Sequence, residues 1–493
     1  MDVLYKILNI LQYNPKEPMI FSSGIFLALF VIFTLLYMAL RKKLTARLLF
    51  VTLFSYYFYY KSSGLYFFLL GVVTVSDYYI ANAIARRKGN KKAQKWLIAL
   101  SMVIDLGLLS YFKYTNFLAG MISQAIGNNF QPWDIFLPVG ISFFTFQSMS
   151  YTIDVYRGTL KPLPSLLDYA FYVSFFPQLV AGPIVRASDF VPQIRKPLCV
   201  TPDMFARGVY FVLIGLFKKA VISDYISLNF VDRIFDNPTL FSGGEILLGL
   251  YGYSIQIYCD FSGYSDMAIG IALLLGFHFP INFNAPFKAD SLSDFWRRWH
   301  ISLSSWIRDY VYISLGGSRV GKVRMYVNQM IAMTLCGLWH GASLNFVIWG
   351  AVHGALVCIH KFFSQVVMRH DRHYHPAGLR RFFAVIITFH LLCLTWILFR
   401  NQDFTVAHTM FDRLFTKFEP ELLPRVIEGY KYVFMMIAFA FITHWLPSSW
   451  EEKIVLGIKK GGVVVAALLV VAVIYIVIQV KSSEVQPFIY FQF

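Results

Sequence analysis

An ionisable side chain in apolar membrane sequence is costly in its charged form, so one found there marks a site for chemistry. His340 is such a residue. It stands in Trp339-His340-Gly341-Ala342-Ser343, inside the apolar run Tyr326 to Ile359. A dry site keeps the imidazole neutral and ready to take a hydroxyl proton as a general base. The alternative is a core histidine satisfied by a neighbour. Depth, an adjoining helix break and the flanking Trp339 and Gly341 favour chemistry. Upstream lies the aromatic and basic run Asp294-Phe295-Trp296-Arg297-Arg298-Trp299-His300. The i,i+4 spacing predicts that Trp296 and His300 share one face of an amphipathic helix. Arg297 and Arg298, with Trp296 and Trp299 beside them, then form a mouth for a phosphorylated donor. The same pattern also describes an interfacial helix with snorkelling arginines.

Other titratable groups are less specific. Asp77, Asp105, Asp154, Asp260 and Asp266 lie within or beside apolar runs. They suit a proton relay or, equally, hydrogen bonds in a polar wall. His353 and His360 are spaced to face one cavity or to pack. His370, His373 and His375 fall in a basic loop where solvated side chains are expected rather than a metal. The five cysteines (Cys199, Cys259, Cys336, Cys358 and Cys393) show neither metal-ligand spacing nor a disulfide framework.

These residues must be positioned by membrane helices. The chain has 493 residues, 57% hydrophobic and only 14% charged, against roughly 25% charged for soluble proteins. About a dozen continuous apolar runs of spanning length predict an all-α polytopic membrane protein in a single domain. Continuous rather than alternating runs exclude a β-barrel. The net charge of +17 sits in loops between apolar runs, where Lys and Arg set orientation. That placement argues against nucleic-acid binding.

In order, the expected spans are 19–40, 44–60, 64–84, 96–118, 135–156, 166–182, 204–222, 245–258, 262–279, 382–399, 432–446 and 461–480. Arg41-Lys42-Lys43 and the basic loop 86–95 place those ends in the cytoplasm and the N-terminus outside. Pro280 to Arg324 then lies in the cytoplasm. Tyr326 to Ile359, about 34 residues, is long for one span and short for two. Bounded by basic loops, it reads as a hairpin that breaks at Gly341-Ala342-Ser343, where glycine tolerates non-helical backbone. His340 then lies about 20 Å from the cytoplasmic end. No internal repeat of the kind that marks inverted-repeat transporters is visible.

The runs 138–147 (PVGISFFTFQ), 176–184 (FPQLVAGPI) and 294–312, and Trp339-His340-Gly341, stand in that order along the chain. Together they resemble the membrane-bound O-acyltransferase family, closest to its bacterial alginate O-acetyltransferase branch. The resemblance covers nearly the whole chain. It implies a ring of about 11–12 transmembrane helices plus short or re-entrant helices around a tunnel, with Trp339, Gly341, Ser343 and Gln178 as tunnel-lining candidates. It makes His340 the catalytic histidine and His300 the second motif position. It further implies a cytoplasmic thioester donor, acetyl-CoA, with no metal. The acyl group passes outward to a periplasmic SGNH, esterase-like acetyltransferase and thence to an exported polysaccharide.

The expected protein is therefore a multi-pass acyltransferase of the bacterial inner membrane with both termini extracytoplasmic. Residues 281–360 form its catalytic region and 461–493 its last span and aromatic tail. By analogy with the related teichoic-acid system, Tyr490 in that tail is a candidate acyl carrier; an interfacial anchor is the plainer role. The alternative class is a transporter or glycan-export channel with an Asp/His proton relay.

Overall fold

The computed structural model describes residues 9–15, 18–371, 374–480 and 489. Among these every regular element is helical, and their packing falls into two units. One unit comprises Met1–Val212 and Met267–Pro280; the other comprises Leu213–Asp266 and Ile281–Phe493.

In the first unit the Ser23 hydroxyl accepts the Phe26 amide at 3.3 Å and opens the helix Gly24–Ala39. Phe21, Phe26, Phe33, Phe54 and Phe58 from this helix region and from Leu44–Ser63 surround Phe176, with centroids 5.1–6.5 Å away. Phe176 begins the short helix Phe176–Leu179. A spanning helix over 166–182 is therefore not formed: Leu166–Ser174 ends at Phe175, whose ψ is 110°. Pro177 explains the break, since proline removes a helical N–H and its ring crowds the preceding turn. The two motifs of this region need each other. Gly140 has φ 75°, and a Cβ there would lie 2.7 Å from the Leu179 carbonyl oxygen. Gln178 is fully buried in this unit, its side-chain amide donating to the Tyr172 carbonyl. Ser101 joins Asp77 (2.7 Å) to Thr152 (3.2 Å), so these buried groups are wall hydrogen bonds.

The expected pair of spans 245–258 and 262–279 is instead one helix, Gly243–Leu274, of 32 residues. The polar run Cys259-Asp260-Phe261-Ser262-Gly263 suggests a turn. However, Lys219 neutralises Asp260 internally at 2.6 Å, so the helix need not emerge into water. Gly461 to Val480 likewise belongs to a longer helix, Ser448–Val480, kinked at Gly462 (φ 59°).

By length and composition, five helices among the described residues can cross a membrane, or six if a bent pair counts as one span. The sequence predicts about 11–12. The difference arises because the inner helices are short, polar or interrupted by π-turns, such as Lys218–Ser223 and Ser227–Val231.

In the second unit the hairpin forms as expected, with arms Lys322–His340 and Leu344–Phe362 of 19 residues each. Each arm is about 28 Å long, close to the thickness of the hydrocarbon core. The hairpin is therefore deeper than a shallow dip. Lipid offers little hydrophobic drive between helices, so small residues must let the backbones approach. Gly337 and Gly350 do so: a Cβ on Gly337 would lie 2.9 Å from the Gly350 Cα. Gly341 has extended backbone, φ −163°. Its glycine is required by the Phe346 ring, which would clash with any Cβ there.

Candidate active site

His340 is the last residue of the first hairpin arm and is buried. Its ring lies among Trp339 (5.0 Å), Trp349 (5.3 Å) and Phe399 (5.2 Å). Trp339 is shared with His300, whose ring centroid is 5.8 Å from the indole. The two histidines thus flank one tryptophan. Ser343, with extended backbone, immediately precedes the second arm.

His300 does not continue the helix that carries Trp296. That helix, Leu292–Arg298, ends at Trp299, and His300 adopts a left-handed backbone (φ 44°, ψ 55°) before Ile301–Trp306. The shared-face expectation is therefore wrong. Such a conformation costs a non-glycine residue on the order of 1–3 kcal/mol and persists only where its surroundings enforce it. Asn282 enforces it. Its side-chain oxygen accepts from the Ser302 amide (3.2 Å) and hydroxyl (2.9 Å), and its amide nitrogen donates to the Ser265 hydroxyl at 3.1 Å. The same oxygen lies 3.2 Å from His300 Nδ1. An oxygen already accepting an N–H has no proton to give, so Nδ1 carries the proton and Nε2 the lone pair. Complete burial drives the His300 pKa down to about 3, keeping the ring neutral at physiological pH. Phe261 closes over it edge-on at 4.6 Å.

A third histidine completes the cluster. His353 Nε2 donates to Thr395 Oγ1 at 3.0 Å, because the threonine proton is already given to the Leu392 carbonyl. His353 stacks at 4.4 Å on Trp349 and lies 5.6 Å from Trp296. The indole N–H groups of Trp296, Trp349 and Trp396 are buried with no hydrogen-bond partner among the described residues. They are donors facing a largely apolar surround.

Trp296 also belongs to the wall of a cavity of about 340 Å³. Arg297, Tyr312, His360, Lys361 and Tyr374 share that wall. The other predicted donor residues part company here. Arg298 is tied to Asp294 at 2.8 Å and to the Asn284 carbonyl at 3.3 Å. Trp299 is buried, stacked on Phe295 at 5.4 Å. Arg297, 3.9 Å from Asp294 and half exposed, is the one of the two arginines that lines this cavity. His375 pairs with Asp290 at 2.6 Å, and with Asp294 nearby these groups lie within 4.8 Å of one another. Arg298 already neutralises Asp294. His373 and Tyr490 lie outside the described residues.

The sequence offers no signal for Asn282, Trp349, Trp396 or Phe399, which meet the histidines only through tertiary packing. His353 and His360 are visible there but separate in the structure. The first joins the aromatic cluster and the second lines the cavity.

Fold and site together define a multi-pass α-helical membrane protein with its polar chemistry gathered at the turn of a helical hairpin. The family model described as MBOAT, membrane-bound O-acyltransferase family, matches residues 157–399. The probable alginate O-acetylase AlgI of Pseudomonas aeruginosa is 41% identical over 406 residues, 81% of this chain and 75% of that protein. The protein of the same name from Pseudomonas putida is 35% identical over 502 residues, 96% of this chain and all of that one. The peptidoglycan O-acetyltransferase of Helicobacter pylori is 37% identical over 385 residues, 73% and 72% of the two chains. The chain belongs to the membrane-bound O-acyltransferase family. It is an acyltransferase, and the transporter alternative falls away.

Proposed function

We propose that this enzyme takes an acetyl group from cytoplasmic acetyl-CoA and delivers it across the bacterial inner membrane to an exported polysaccharide. A periplasmic SGNH, esterase-like acetyltransferase is the partner that finishes the transfer. The observation that carries this reading is the continuous route of contacts from the basic cavity to His340. Trp296 is in the cavity wall, Trp349 is 5.8 Å from Trp296, and His340 is 5.3 Å from Trp349. The names of the relatives, an alginate O-acetylase and a peptidoglycan O-acetyltransferase, support a glycan as the final acceptor.

His340 acts as the general base. It removes the acceptor hydroxyl proton as that oxygen attacks the thioester carbonyl carbon. The carbon–sulfur bond breaks, and the proton passes from His340 to the departing CoA thiolate. His300 positions the reacting groups through its Nε2 lone pair, and His353 buttresses Trp349. Trp339, Gly341 and Ser343 are read as wall residues of the path. The first acceptor is the phenol of Tyr490, which carries the acetyl group as an ester to the partner. Residues 1–493 act as one enzyme domain, with 281–360 its catalytic region and 461–493 its last span and tail.

Orientation follows the charge rule. The basic residues between Pro280 and Arg324 keep that stretch in the cytoplasm, with the basic cavity on the donor's side and both termini outside. Arg297, His360 and Lys361 then bind the donor's phosphates.

The test uses purified enzyme in lipid nanodiscs with labelled acetyl-CoA. Thiol release should be readily detected. No release under any acceptor condition would rule out acetyl-CoA as donor. In the Arg297→Ala, Lys361→Ala double variant, loss of charge-assisted hydrogen bonds should raise KM by about 10–100-fold with little change in kcat. An unchanged KM would remove these residues from the donor site.

A further inference from the structure

Asp260 is buried in the middle of Gly243–Leu274, and its neighbours on that helix touch the histidine site. Phe261 rests against His300 at 4.6 Å. Ser265, further along, accepts from the Asn282 amide that fixes His300. Asp260 itself binds Lys219 at 2.6 Å, and Lys219 also binds Asp224 at 2.7 Å. Lys219 and Asp260 side chains are each only 3% exposed. Lys219 thus bridges two carboxylates, and a buried carboxylate calls for further donors. One comes from far along the chain. The backbone N–H of Ile489 donates to the second Asp260 oxygen at 2.8 Å, and Ile489 is 3% exposed.

Isoleucine has no polar side chain to recruit, so the bond is made by backbone alone and the apolar side chain is buried with it. The geometry points to Asp260 as the anchor of Ile489. We propose it as a positioning residue for Tyr490, the residue that follows. The functional consequence rests on the proposed carrier role of Tyr490; the docking does not. Lys219 holds Asp260 in place, and Asp224 holds Lys219. Removing Asp260 leaves Lys219 paired with Asp224 rather than orphaned, so the variant is expected to fold.

The experiment places a reporter at the docked residue. In full-length Ile489→Cys protein, N-ethylmaleimide modification of residue 489, followed by peptide mass spectrometry, should be slow. Adding Asp260→Ala should accelerate it about tenfold or more. Asp260→Asn, which keeps an acceptor oxygen, should accelerate it less. Equal rates in the three proteins, each eluting as one sharp peak, would overturn the anchor. Should Asp260→Ala fail to fold, Ile489→Pro tests the same bond from the other side by removing its N–H donor. It should lower acetyl transfer to glycan about tenfold or more, whereas Ile489→Val, which keeps the donor, restores it. Full transfer with proline, where Tyr490→Phe abolishes transfer, overturns the proposal. The carrier reading has its own arm. Normal transfer by Tyr490→Phe, with labelling still accelerated by Asp260→Ala, leaves the anchor standing and removes the carrier.

Discussion

Replacing His340 with alanine should leave an inserted, folded protein whose acetyl transfer falls about 10²–10⁴-fold, the usual cost of losing a general base. The fold should survive because the hairpin is held elsewhere, by the close approach of Gly337 and Gly350 three and more residues away. Removing the imidazole does open space among Trp339, Trp349 and Phe399. By comparison with other large-to-small core changes this costs about 2–5 kcal/mol, so thermal stability must be measured beside activity. Near-normal transfer by a stable His340→Ala protein would end the catalytic assignment. His300→Ala should be milder in its effect on the backbone, since Ser302 still bonds Asn282 twice. It should lower turnover through lost orientation, visible as a fall in kcat greater than the change in donor KM.

The second large effect is structural. Gly337→Val should destabilise the protein by about 3 kcal/mol or more, beyond the usual range for overpacking. A Cβ at this position meets backbone on the second arm: the Phe346 carbonyl oxygen and, at 2.9 Å, the Gly350 Cα. Backbone cannot swing aside as a flexible side chain does, so the arms must part and carry His340 with them. Gly71→Ala and Gly107→Ala serve as controls, because a Cβ at either meets nothing within 4 Å. Both lie inside helices, where alanine is favoured over glycine by up to about 1 kcal/mol. Thermal unfolding in detergent, followed by tryptophan fluorescence, separates the three. Equal unfolding temperatures for Gly337→Val and the controls would contradict the hairpin packing.

Much of the candidate site is legible in local residue type. His340 stands out because an ionisable group in apolar sequence has few cheap explanations, and the break beside it forms where Gly341 stands. The reason for that glycine is different from the one local conformation suggests: its backbone is extended, and the Phe346 ring excludes a side chain. His300 shows how far spacing reaches. A period of four places it with Trp296 only if the helix continues, and the left-handed turn at His300 breaks that premise. Nothing in the run Asp294 to His300 announces the turn, because Asn282, which enforces it, comes from another segment.

By itself, the sequence determined that this is a helical, multi-pass membrane protein, where most of its helices lie, and which histidine to suspect. Those properties follow from hydropathy, charge placement and a single costly residue, all of which act locally. Only the tertiary structure decided that Asp260 lies in mid-helix rather than in a loop, because its partner Lys219 is distant in sequence. Only it separated Arg297, which faces the cavity, from Arg298, which is spent on Asp294 and Asn284. It also brought His353 to the aromatic cluster and set the tautomer of His300. Hydrogen bonds and ion pairs are satisfied by whichever partner the fold delivers. A buried polar group read from sequence therefore signals that a partner exists, and the packed structure alone says which one.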